Sequence, residues 1–304
     1  MRQPPLRCAV HVRQQGRHAV IRVGQIGLGS WGSKVLRTLT EDLRDEVTVR
    51  WTAGRLDWPT KLKTEVDAVV VCVPPDAQPM IAKAVLEAGL SVFLEKPLAL
   101  DALSAQQIHD AATMCGLPVL VDHVWLFHPM FERLKHETSG KVLRYVECVS
   151  GDVGPDQLWP TEHPALWDWG AHDVALALAL GADLTGHCGV QRDFSGNYHL
   201  QWKKVQISAG NRRLKRYRQI RVNADDTLWV FDGAEGQGTL RFAPPESGFI
   251  VDGTIDRTPP LTKALKVWLA AVKGDAWDGR IGTALGLQAV SVLEQAQNAL
   301  EKPG

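Results

Sequence analysis

The sequence predicts an α/β chain of two domains: an N-terminal doubly wound parallel sheet, then an α+β domain on a mostly antiparallel sheet. Three observations carry this reading. Short apolar runs alternate with helical patterns from residue 21 to residue 122. A glycine-rich turn follows the first of those runs. Beyond residue 122 the rhythm changes to longer segments of alternating character separated by turns. Strands alternating with helices build right-handed crossovers on a parallel sheet, whereas period-two alternation with short turns builds antiparallel ladders. The expected organisation is an extension over 1–20, a first domain over 21–122 and a second over 123–304, with a cleft between the two domains.

The elements follow in order. Residues 21–26 read as a buried strand running into Gly27-Leu-Gly-Ser-Trp-Gly32, with a helix after it that turns Val35, Leu36 and Leu39 to one face. Residues 47–51 are a second strand, followed by a helical turn near 60–64. The stretch from Trp51 to Asp67 is too short for a full helix with its loops. Asp67-Ala-Val-Val-Val-Cys-Val73 is a third strand, apolar throughout as a strand covered on both faces must be. A helix carrying Met80, Ile81, Ala84, Val85 and Leu86 closes at Gly89. Residues 91–94 form a fourth strand, 102–115 a helix ending at Gly116, and 118–121 a fifth strand. The second domain begins with a helix over 129–137. Strands are expected at 142–150, 190–194, 198–207, 219–222, 227–232 and 239–242, a helix at 172–180, and two closing helices at 261–273 and 281–300.

Composition excludes several classes. Lysine plus arginine equals aspartate plus glutamate at 34 each, so no polyanion or membrane surface is indicated as a partner. The longest apolar runs, such as 69–73 and 174–180, are too short to span a bilayer. Five cysteines at wide spacing, with no C-x-x-C, read as reduced thiols rather than a disulfide framework or zinc site, which suits a cytoplasmic protein. Residues 1–20 hold arginines but no acid and no apolar core, and are expected to be a disordered extension or the result of a start codon called too early, with an organelle transit peptide as the alternative.

Gly27-x-Gly29-x-x-Gly32, set between a strand and a helix, reads as the fingerprint of a dinucleotide-binding Rossmann domain, with an ordinary glycine-rich turn as the alternative. The first glycine allows the turn, the second lets a pyrophosphate approach the backbone, and the third lets the helix pack on the strand. An acidic residue would be expected near the end of the second strand to hold the adenosine ribose. Here the chain reads Arg50-Trp-Thr-Ala-Gly-Arg55 instead. Either arginine could meet a 2′-phosphate, which leans the cofactor, NAD(P), toward NADP; two solvent-exposed arginines are the alternative.

Lys96 lies just past a parallel strand, at the sheet edge where ligands bind. It could hold a substrate hydroxyl and tune proton transfer, or simply be an exposed lysine. Asp168 and His172 stand one turn apart if the helix already begins there. A histidine can take the proton of an alcohol while a carboxylate orients it. The competing readings are a core histidine, a helix-capping aspartate, and a metal site using Asp168, His172, His123 and His128. Trp159, Trp167 and Trp169 cluster nearby and could wall a sugar or pack in the core.

Taken together, Gly27–Gly32, the run Val69-Val-Val-Cys-Val-Pro-Pro75, Glu95-Lys-Pro97 and Asp168-x-Gly-x-His172 resemble the Gfo/Idh/MocA oxidoreductases. Val121-Asp-His123, Leu126-Phe-x-Pro129 and Trp167-Asp168…His172-Asp173 resemble members associated with sugar-nucleotide pathways. The resemblance implies a Rossmann domain plus an open-faced sheet domain, a homodimer or homotetramer, and transfer of a hydride to or from a hydroxyl or carbonyl carbon of a sugar, nucleotide sugar or cyclitol. It implies Lys96, Asp168 and His172 as catalytic residues. The cofactor contacts expected are Gly27, Gly29, Ser30, Trp31, Gly32, Arg55, Cys72, Pro74, Glu95 and Lys96, with Trp125 and Trp169 against the substrate and no metal. A non-catalytic sensor on the same fold, or a reductase of C=N or C=C bonds, are the alternatives. The chain departs from the family pattern in the missing helix after the second strand, in Gln78 where many members have histidine, and in the absent acid.

Overall fold

A computed structural model describes residues 20–54, 56–152, 162–210, 216–233, 238–243, 250–251, 256 and 258–301. The expected extension, apart from Val20, lies outside the described residues, as do Arg55 and Trp159. The chain forms two compact units. One takes the chain up to Asp122 together with Leu261–Leu287; the other takes His123–Pro260 and the chain from Gln288 onward.

The first unit runs β1 (Ile21–Ile26), α1 (Ser30–Arg37), β2 (Val47–Ala53), α2 (Trp58–Lys61), β3 (Ala68–Val71), α3 (Gln78–Glu87), β4 (Ser91–Glu95), α4 (Ala102–Cys115) and β5 (Val119–Asp122). Its five strands lie in the order β2-β1-β3-β4-β5, every pair parallel. This is the doubly wound Rossmann arrangement expected. All four residues of β3 and the first four of β4 are buried, because helices cover both faces. The short second crossover is reduced to the four-residue α2, placed two residues earlier than the sequence suggested, because Pro59 sits well in a first helical turn and not later. α4 has the ends its sequence encodes. The Asp101 side chain accepts from the Ser104 N–H at 2.7 Å, and Gly116 closes the helix at φ 61°.

The second unit opens with a 3-10 turn (Val124–Phe127) and α5 (Pro129–Thr138). It continues with β6 (Leu143–Gly151), α6 (Pro164–Ala179), β7 (Gly189–Arg192), β8 (Tyr198–Gln201), β9 (Val205–Gly210), β10 (Tyr217–Ala224), β11 (Thr227–Asp232), β12 (Thr239–Ala243) and β13 (Ile250–Val251). The sheet order is β13-β12-β11-β10-β6-β9-β8-β7, antiparallel except for the β6–β9 pair. The single strand expected over 198–207 is in fact a hairpin. Trp202 N–H donates to the Val205 carbonyl at 2.8 Å, and Lys203 and Lys204 form the exposed turn. A continuous β propensity had hidden a two-residue reversal. β13 was not expected at all.

Two helices close the chain, α7 (Pro260–Val272) and α8 (Ala284–Glu301). α7 sets fully buried Trp268 edge-on to Phe93 of β4, ring centres 5.6 Å apart. Gly282 donates to the Val119 carbonyl at 2.6 Å, extending the edge of the parallel sheet. Cys115 is disulfide-bonded, which corrects the expectation that all cysteines are reduced. Cys72, Cys148 and Cys188 are free thiols. No helix among the described residues is long and apolar enough to cross a membrane.

The cap at Asp101 is open to test. Asp101→Ala leaves the Ser104 amide without its acceptor and should lower stability by ~1 kcal/mol, read from the midpoint of urea unfolding.

Candidate active site

The glycine turn is built as the fingerprint requires. Gly27 follows β1 at φ 93°, and a Cβ there would lie 2.1 Å from the Cys72 carbonyl oxygen. At Gly32 a Cβ would meet the Gly27 carbonyl oxygen at 2.4 Å. Gly29 differs: a Cβ there would meet nothing within 4 Å. The middle glycine therefore fronts open space at the N-terminus of α1, whose first turn holds no acidic residue and no side-chain cap. Unpaired helix N–H groups and the positive end of the dipole are left for an anion. Gly29 and Ser30 are exposed, and Trp31 is half-buried. Behind the turn, buried Gln25 donates its amide to the Gly27 carbonyl at 3.0 Å and to the Gly32 carbonyl at 2.7 Å. This residue was not singled out by its sequence, because an internal glutamine in a strand has no local signature.

At the C-terminal ends of β4 and β5, Glu95 and Asp122 are register partners. The indole N–H of Trp31 donates to the Asp122 carboxylate at 3.3 Å, and the Lys96 backbone N–H donates to the Glu95 carboxylate at 3.0 Å. Burial first, and then the charge of Asp122, pushes Glu95 well above the usual carboxylate range. Burial likewise raises Asp122 to about 6, against the downward pull of Glu95, the Trp31 indole and the Lys96 charge. Two carboxyl groups side by side away from water cannot both ionise cheaply. Cys72 stands just past the end of β3 rather than inside it; burial, Glu95 and Asp122 keep it a thiol. Pro74 starts the turn into α3, its carbonyl accepting from the Ala77 N–H at 3.0 Å.

Lys96 follows β4 and joins Pro97 through a cis peptide. The turn is held from below by Gln78, 1% exposed, whose amide donates to the carbonyls of Glu95 (2.7 Å), Pro97 (2.9 Å) and Leu98 (3.2 Å). The residue read as a departure from the family pattern is thus the clamp of the lysine turn. On the adenosine side Arg50 is exposed on β2. The acid that follows, Asp57, accepts from the Gly54 N–H at 2.7 Å and so closes its own loop.

In the second unit α6 begins at Pro164, so Asp168, Trp169 and His172 all lie within it and Asp168 is no cap. Asp168 and Trp169 are half-buried and His172 is 9% exposed. The i, i+4 spacing turns Asp168 and His172 to one face. The His172 ring stands edge-on to that of His123, centres 6.3 Å apart. Of the other residues in the metal reading, His128 caps α5, its Nδ1 accepting from the Met130 N–H at 3.2 Å, and stacks on Trp125. Among the described residues no group of three or more His, Cys, Asp and Glu side chains could hold a metal ion.

Next to His172, Asp173 forms a buried ion pair. It accepts from Arg218 at 2.8 Å and from the Ser150 hydroxyl, with all three side chains buried. The Arg218 guanidinium lies 4.5 Å from the Trp125 ring centre and 5.3 Å from that of Trp169. The two tryptophans assigned to substrate are thereby brought to one cation, whereas Trp167 is core and bonds Gln297 at 2.7 Å. Sequence reasoning did not name Arg218, Ser150 and Asp122 as site candidates. Asp122 could have been found by aligning the ends of β4 and β5; a strand arginine carries no signal that it points inward. Two grooves, of about 480 and 540 Å³, are lined by neither the glycine turn nor residues 96, 168 and 172.

Comparison with known proteins agrees with the resemblance drawn from the motifs. The model of the GFO_IDH_MocA oxidoreductase family, described as an NAD-binding Rossmann fold, matches residues 41–123. Biliverdin reductase A of Mus musculus is 33% identical over 79 residues, 26% of this chain and 27% of its own length. UDP-N-acetylglucosamine 3-dehydrogenase of Acidithiobacillus ferrooxidans is 28% identical over 119 residues, 39% of this chain and 37% of its own. The chain thus matches only about a quarter to two fifths of these curated relatives' length. The structure of an inferred oxidoreductase from Magnetospirillum magnetotacticum MS-1 is 29% identical and superimposes with a TM-score of 0.75, covering 90% of this chain and 99% of that one.

The carboxyl pair makes stability depend on pH in a defined direction. A carboxyl whose folded pKa is raised stabilises fully below its ordinary range, and that contribution is lost as pH rises through the folded value. For Asp122 the loss runs from 3.8 to about 6, a displacement worth up to ~3 kcal/mol, and Glu95 extends it upward. Asp122→Asn should flatten this fall: between about pH 4 and about pH 7 the wild-type melting temperature should drop relative to the variant. Parallel curves would show that the pair does not titrate there.

Proposed function

Starting from the Gfo/Idh/MocA family, whose model and fold this chain matches, we propose that it is an NAD(P)-dependent oxidoreductase acting on a hydroxyl or carbonyl carbon of a sugar, nucleotide sugar or cyclitol. The observation that carries the reading is the open face of Gly29 at the uncapped start of α1, a cradle that any side chain at residue 29 would fill. Gly27, Gly29, Ser30, Trp31 and Gly32 would hold the diphosphate, with Cys72, Pro74, Glu95 and Lys96 along the strand ends. When bound, a nicotinamide dinucleotide supplies the two-electron hydride acceptor or donor. Arg50, exposed on the edge strand, supports the lean toward NADP.

The chain's own residues handle the proton. His172 takes the hydroxyl proton as the alcohol is oxidised and returns it in the reverse direction. Asp168, one turn earlier on the same face, orients the imidazole or the substrate. Lys96 holds a substrate hydroxyl by a charge-assisted hydrogen bond, its turn fixed by Gln78. Trp125 and Trp169 offer flat apolar walls of the kind that receive a sugar ring. A sugar-nucleotide substrate is supported by the similarity to UDP-N-acetylglucosamine 3-dehydrogenase. The similarity to biliverdin reductase A supports a second reading, a reductase of conjugated double bonds working from the same dinucleotide site. A cytoplasmic homodimer or homotetramer is part of this proposal.

Fluorescence titration with NADH and NADPH, followed by turnover over a panel of sugars, nucleotide sugars, cyclitols and biliverdin, tests it. Lys96→Ala and His172→Ala should each lower kcat by about 10²- to 10⁴-fold while leaving cofactor affinity within a few fold. Cofactor binding without turnover of any compound would make the chain a sensor, and full activity in either variant would remove that residue from the mechanism.

A further inference from the structure

Arg218 is 2% exposed, yet its hydrogen bonding is lopsided. Nη1 is committed to Asp173 at 2.8 Å. Nε and Nη2 have no partner. Those two nitrogens form the side-on edge of the guanidinium, which matches the two oxygens of a carboxylate or phosphate in one bidentate contact. Buried donors in folded proteins are satisfied in the great majority of cases, so an unused fork edge marks a place for a missing acceptor. The faces of the guanidinium are already spoken for. Trp125 and Trp169 lie against it at 4.5 and 5.3 Å, and both rings are half-buried, so they reach the surface where the cation does not. Asp173 cannot swing to the open edge, because its other oxygen accepts from Ser150. The arginine is therefore fixed in orientation before any ligand arrives, which lowers the entropy lost on binding.

We propose that Arg218 is a substrate-specificity residue, and that its Nε/Nη2 edge, framed by Trp125 and Trp169, receives an oxyanion carried by the substrate. The ligand is then an acidic sugar derivative, its anion being either a sugar carboxylate or the phosphate of an activated sugar. This deepens the functional proposal and rests on its reading of Trp125 and Trp169 as substrate walls. Neutral sugars and cyclitols would leave the edge empty and bind weakly.

Calorimetric titration of the full chain tests this with three probes: glucuronate for the carboxylate, UDP-N-acetylglucosamine for the phosphate, and methyl glucoside as the neutral control. At least one acidic probe should bind at least tenfold more tightly than methyl glucoside, and the one that does identifies the source of the anion. Arg218→Lys, which keeps the charge but loses the fork, should abolish that preference, bringing the acidic probe to within a few fold of methyl glucoside. The double variant Arg218→Gln, Asp173→Asn removes both buried charges together and carries the same expectation if the lysine variant does not fold. No acidic preference in the wild type, or a preference that survives both variants, overturns the proposal. Because the readout is binding, it stands apart from turnover. Acidic preference in a chain that turns nothing over would sink the oxidoreductase reading alone. Turnover of neutral and acidic sugars with equal kcat/KM would sink this inference alone.

Discussion

Parallel pairing through β1, β3, β4 and β5 is the constraint on which the first unit's chemistry depends. The ladders run Ile26 beside Val71, Val71 beside Leu94, and Glu95 beside Asp122. A parallel sheet sends every strand out at the same edge, so residues far apart in sequence arrive together there without any local signal between them. The glycine turn, the Cys72 thiol, the lysine turn and the two carboxyls are all products of that one register. A slip of one residue in β4 would turn Glu95 to the other face and carry Lys96 with it. The apolar side chains of β3 and β4, packed under helices on both sides, are what make such a slip costly.

The second unit solves a different problem, that of keeping a charged helix face under control inside an apolar layer. α6 is buried over most of its length, from Ala165 to Ala177, and yet carries Asp168, His172 and Asp173. Asp173 is tolerated because Arg218 and Ser150 meet both its oxygens. The pairing costs desolvation on both sides, so it contributes less to stability than to fixing one orientation of the helix face. Gly170 permits the helix to lie close to its neighbours: a Cβ there would already touch Leu293 at 3.4 Å and Ala209 at 3.9 Å.

Much of this was legible in the chain itself. The helix Ala102–Cys115 could be read to the residue because aspartate and glycine mark its ends. The glycine turn was legible because each of its three glycines answers a separate steric demand, and the missing helix after β2 because Trp51 to Asp67 leaves no room for one. The hairpin of β8 and β9 was not legible, since its reversal uses two lysines instead of glycine or asparagine. Nor were the partners across space. Nothing near Glu95 in the sequence announces Asp122, which strand order brings beside it, and nothing near Asp173 announces Arg218, which meets it between a helix and a strand. Gln78 was noticed only as a substitution; its meaning came from three carbonyls lying within reach of one amide.

That glutamine has a further consequence. An imidazole in its place would gain and lose a proton in the physiological range, and the turn beneath it would feel each change. A carboxamide has no such transition. The loop bearing Lys96 is therefore supported from below by a donor whose strength is the same in acid and in alkali, and sensitivity to acidity along this rim is left to the Glu95–Asp122 couple, whose Glu95 carboxyl meets the Lys96 N–H.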